Sequence, residues 1–146
     1  MSSNGSPAGS STGHADPDVA LVERVRTELA DILALVTATG AANDSLRGRL
    51  RPFRELHRAH LAVLTDAGET GSPAASPSGA TGDLSVARSP ASALHQVVRR
   101  EQLTRARLAD AAVAAESGTL ARLLASMSAA VAQQLAAADG AGATAS

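Results

Sequence analysis

Residues 44–66, DSLRGRLRPFRELHRAHLAVLTD, decide the fold. Leu46, Leu50, Phe53, Leu56, His60 and the Val63–Leu64 pair recur at three- and four-residue spacing. That is the period of a helix with one buried face, and no strand alternation competes with it. Gly48 and Pro52 interrupt the segment, which predicts a kink or a helix that properly begins near Arg51.

Three further segments repeat this period, giving expected helices over residues 17–38, 44–66, 90–116 and 119–138. Asp16-Pro17 and Ser89-Pro90 each place a capping side chain before a proline at the first helical position. The first helix carries Val22, Val25, Leu29, Ile32, Leu33 and Val36 on one stripe and is expected to stop at Gly40. The third carries Leu94, Val97, Glu101, Thr104, Leu108, Ala111 and Ala115. The fourth follows Ser117-Gly118 and carries Leu120, Leu123, Leu124, Met127, Val131, Gln134 and Leu135.

The expected fold is therefore all-α, an antiparallel four-helix bundle over residues 16–138. Ser, Gly, Ala and Pro dominate residues 1–15, 67–88 and 139–146, read as a disordered tether, a mobile loop and a disordered tail. Links of about four residues make helices one and two, and three and four, antiparallel neighbours. The middle link of about twenty residues reaches some 70 Å when extended, and a helix of about 22 residues is roughly 33 Å long. Both one long crossover and simple up-down-up-down connectivity remain open.

Composition narrows the chemistry. Among 146 residues there is no Cys, no Trp, no Tyr and one Phe. Disulfides, thiolate metal sites, cysteine nucleophiles and aromatic platforms for single-stranded nucleic acid are excluded. Lysine is absent as well; all thirteen cations are arginines, and the net charge is −1. That balance excludes a generally basic polyanion binder, and no nucleic-acid partner is expected. No nucleophile elbow, Walker loop or dinucleotide fingerprint is present, and no transmembrane segment. No catalytic residue and no cofactor is assigned.

Polar residues inside apolar stripes are the informative exceptions. His60 interrupts the stripe of helix two, with His57 one turn earlier; Glu101 interrupts helix three, and Glu28 lies at the edge of the stripe of helix one. The expectation is that His60 and Glu101 are core neighbours that hydrogen-bond each other. The alternative is a metal-binding or redox bundle using Glu28, His57, His60 and Glu101.

Arg47, Arg51, Arg54 and Arg58 on helix two, with Arg99 and Arg100 on helix three, stand out against an acidic helix one. The plain reading is a solvated face with pairs Arg51/Glu55, Glu55/Arg58 and Glu101/Arg105. The functional reading is a patch for an anionic partner, of the envelope or a protein. Helix four has Arg122 as its only charge up to residue 138, and small side chains cover most of its surface. It is expected to be deeply buried or to form a homodimer surface.

The segments VERVRTELADIL, RPFRELHRAHLAVL, VVRREQLTRARLADAA and LARLLASMSAAVAQQLAAA resemble the small ferritin-like helical-bundle proteins of actinobacteria, often secreted or lipid-anchored and functionally uncharacterised. The resemblance implies a ferritin-like bundle. The di-iron pattern of ferritin-like carboxylate proteins wants two lone Glu and two Glu-x-x-His motifs. Glu28 and Glu101 match the lone Glu positions, but helix two has no clean pair, and residues 118–138 contain no Asp, Glu or His. The metal site is thus degenerate. The resulting expectation is a non-enzymatic bundle of the cell envelope, acting as a binding or structural module. A Ser/Gly/Pro tether follows the lipidated cysteine of a lipoprotein, and Met1 stands where that cysteine would be. The chain is read as secreted or as an envelope lipoprotein with its signal removed; a cytoplasmic chain is the alternative.

Overall fold

The computed structural model describes residues 16–69 and 86–143. Among these the chain forms α1 (Pro17–Ala42), a 3₁₀ turn (Asp44–Leu46), α2 (Arg47–Glu69), α3 (Pro90–Ala114) and α4 (Gly118–Ala143), with no strand. The expected tether, residues 1–15, and most of the expected loop lie outside the described residues.

The caps form as their chemistry requires. The Asp16 carboxylate accepts from the Asp18 N–H at 2.9 Å, and Pro17 opens α1. The Ser89 hydroxyl accepts from the Ser92 N–H at 3.2 Å, ahead of Pro90. Each satisfies a backbone donor that has no partner within the helix.

The boundaries differ from expectation in physically readable ways. α1 does not stop at Gly40, which keeps helical geometry; no described glycine has positive φ. The helix ends at Asn43, whose backbone N–H and side-chain amide both donate to the Thr39 carbonyl, at 3.0 and 3.2 Å. The expected 44–66 helix opens as the 3₁₀ turn and continues as α2 from Arg47, not from near Arg51, with Pro52 inside it. Pro52 leaves only the Gly48 carbonyl without its helical donor, and Gly48 is exposed to water. α2 also runs on to Glu69, and α4 to Ala143, into stretches read as loop and tail. At the far end of the expected loop, Val86 and Ala87 pack against the core, and the Ala87 N–H donates to Gln96 Oε1 at 3.2 Å.

α1 packs on α2 and α3, and α4 packs on α3 and α2. The core they enclose is built on Phe53, Leu29, Ile32, Leu50, Leu64 and Leu124. Leu21 and Leu35 join the stripe of α1, while Leu33 is half-buried. On α2 the expected stripe member Val63 is 45% exposed, and His57 is fully buried. α4 buries Leu124, Met127, Val131 and Leu135, whereas Ala125, Ser126, Ala129 and Ala136 face outward. One face of α4 is covered, not several. At one end of the bundle the Asp18 carboxylate accepts from the Glu116 and Ser117 N–H groups at 2.9 and 2.8 Å, tying the start of α1 to the α3–α4 link.

Candidate functional site

α2 and α3 each direct one ionisable side chain into the apolar centre. His57 Nε2 lies 2.8 and 3.0 Å from the two carboxylate oxygens of Glu101, and both side chains are fully buried. Nε2 faces both oxygens, so the two side chains share a buried hydrogen bond. That bond offsets the desolvation that either polar group would suffer alone in the core.

The expected partner of Glu101, His60, is therefore replaced by His57. His60 is buried one turn further along α2, its ring edge-on to that of His57 with centres 6.0 Å apart and planes at 74°. Burial first, and the neighbouring His57 second, push the His60 imidazole down to about 4, so it is neutral near pH 7. The Nδ1 atoms of both His57 and His60 are buried without a hydrogen-bond partner among the described residues. The expected Glu101/Arg105 pair is absent because Glu101 points into the core while Arg105 is exposed.

Glu28 stands apart from this cluster. It pairs with Arg107 of α3 at 3.2 Å and lines an open groove of about 360 Å³ between α1 and α3, with Leu21, Arg24, Val25 and Asp110. Among the described residues no group of three or more His, Asp or Glu side chains is placed to hold a metal ion. On α4, Val131 is buried core and Gln134 half-buried, and the carboxylate of Asp139 is exposed near the end of the helix.

The six arginines of the expected patch divide between α2 and α3, and each of these helices packs principally on α1 and α4. Arg47, Arg51, Arg54 and Arg58 are spaced i, i+4, i+7 and i+11 on α2, which lines them up within one narrow stripe. Arg47 pairs with Asp44, and Arg51 with Glu55 at 2.7 Å. The hydrogen bond from Arg51, and then its charge, hold the Glu55 carboxyl below its usual range. Arg54 and Arg58 have no ion pair among the described residues, and Arg54 Nε is buried without a partner. Glu55 turns to Arg51 rather than Arg58. Arg99 is exposed and Arg100 half-buried on α3.

Sequence reasoning found every member of the buried cluster but chose the wrong histidine. It missed Asp18, whose bonds to the α3–α4 link carry no local sequence signal. Among the described residues no helix is long and apolar enough to cross a membrane. No family model, no curated protein and no solved structure matches the chain.

Proposed function

We propose that the chain is a non-enzymatic binding module of the cell envelope, built as a ferritin-like bundle, that meets a phosphate-bearing surface through the arginine stripe of α2. Support for the helix order comes from two contacts between α1 and α3. Asp18 meets residues 116 and 117, and Glu28 meets Arg107, so rising numbers on α1 match falling numbers on α3. α1 and α3 then run antiparallel. A short turn makes α1 and α2 antiparallel too, which leaves α2 and α3 parallel. Consecutive helices that run parallel are the mark of the single-crossover, ferritin-like order.

The observation that carries the functional reading is the row Arg47, Arg51, Arg54, Arg58, in which the last two keep no carboxylate partner among the described residues. Guanidinium groups bind phosphate oxygens in a planar, two-pronged manner, and a row of them matches a surface of repeated phosphates. The test is co-sedimentation with phosphatidylglycerol and with phosphatidylcholine vesicles, alongside titration with soluble polyphosphate. Salt-sensitive binding that is lost in the Arg54→Gln/Arg58→Gln variant supports the reading. Preference for vesicles over polyphosphate assigns the headgroups, and the reverse assigns a wall polymer. Absence of salt-sensitive binding to both probes overturns it. The outward Ala and Ser face of α4 suits the close approach of a second copy, which light scattering of the intact chain tests.

A further inference from the structure

The buried histidines of α2 carry an unanswered demand. Nδ1 of His57 and Nδ1 of His60 are both shut away from water with no hydrogen-bond partner among the described residues. Buried polar atoms in native proteins are nearly always satisfied, so two on adjacent turns call for an explanation. Glu101 supplies part of it. Its carboxylate occupies Nε2 of His57 and leaves Nδ1 as the ring atom open to another partner. A carboxylate behind the distal nitrogen is the usual support of a metal-bound imidazole. His60 offers a second buried, unpartnered Nδ1 one helical turn away.

We propose that His57 and His60 together bind a single monovalent soft cation, of the copper(I) class, through their Nδ1 atoms. The spacing suits it. With about 2.0–2.1 Å per metal–nitrogen bond and about 1 Å from ring centre to nitrogen, two imidazoles on one cation have centres roughly 6 Å apart; the observed separation is 6.0 Å. The donor count suits it as well. Zinc in a closed protein site takes four ligands, whereas a monovalent d10 ion accepts two nitrogen donors in line. Charge makes the same selection: a monovalent ion costs less to desolvate in an apolar core than a divalent one. Glu28, committed to Arg107, takes no part.

The experiment titrates the intact chain with silver(I), a redox-inert stand-in, and with copper(I) held reduced in the absence of oxygen, by calorimetry and by 15N spectra of the imidazoles. One ion per chain is expected, with the shift on Nδ1 of His57 and His60, and a rise in melting temperature by mass action. His60→Leu keeps the His57–Glu101 bond and so remains folded; it abolishes the stoichiometric site. Glu101→Gln keeps the stoichiometry and weakens affinity by about 10- to 100-fold, the effect of losing a supporting carboxylate. His95→Ala leaves binding intact. No stoichiometric binding by the folded wild type, or binding that survives His60→Leu and disappears in His95→Ala, overturns the proposal.

Discussion

His57 and Glu101 meet in the middle of the bundle, a single imidazole nitrogen within 3.0 Å of both carboxylate oxygens, with neither side chain exposed to water. The pair joins α2 to α3, two helices that otherwise pack on α1 and α4. A polar bond in such a position fixes the relative height of the two helices, because sliding either one separates charge from partner in an apolar medium.

Removing one partner is therefore worse than removing both. His57→Leu strands a buried carboxylate and costs about 3 kcal/mol or more. His57→Leu combined with Glu101→Leu replaces both by apolar groups and recovers part of that loss. Urea melts of the two single variants and the double variant give a coupling energy on the order of 1 kcal/mol or more. The same cycle run with His60 and Glu101 gives a smaller value, since those two side chains share no hydrogen bond. Equal couplings for the two histidines would contradict the pairing.

Acid should destabilise the protein through His60. Its folded imidazole is held down to about 4, while the unfolded chain titrates near 6.5. Above pH 6.5 neither state carries the proton, and the contribution is flat. Between pH 6.5 and 4 the unfolded state binds the extra proton, so stability falls as pH falls. At about 1.4 kcal/mol per pH unit the loss reaches about 3 kcal/mol near pH 4. Denaturant melts of the metal-free protein across this window, compared with His60→Leu, isolate the effect as a reduced slope in the variant. Identical slopes would show that His60 protonates freely in the folded chain.

Met127→Asp should unfold or severely weaken the chain. Met127 is 3% exposed at the centre of the buried face of α4, between Leu124 and Val131, both fully buried. An unpaired charge there costs several kcal/mol, on the order of the stability of a whole small domain. Circular dichroism melts read the outcome, and an unchanged melting temperature would place that face at the surface.

Asp18→Ala should loosen the end of the bundle where α1 meets the α3–α4 link. Two backbone N–H groups lose their acceptor. The expected cost is about 1–2 kcal/mol, the range of a lost helix cap. Hydrogen exchange should accelerate at Glu116 and Ser117 and leave the amides around His57 unchanged.

The sequence by itself determined the number of α-helices among the described residues, the N-caps of α1 and α3 and most of the buried faces. Periodicity and capping are local: Asp16-Pro17, Ser89-Pro90 and the spacing from Leu46 to Leu64 act within a few residues of themselves. The presence of a buried His/Glu cluster was legible for the same reason, since a polar residue inside an apolar stripe shows in one dimension. Which histidine answers Glu101 was not. His57 and His60 lie on the same face, one turn apart, and periodicity assigns a face without assigning a height. Only the packing of α2 and α3 around a shared core sets the level at which Glu101 enters, and that level is the one of His57. Contacts between α1 and α3 also lay beyond reach: Asp18 with Ser117 and Glu28 with Arg107 join residues 99 and 79 positions apart. No local preference encodes such pairs; the tertiary structure chooses them by how the helices fill space against one another.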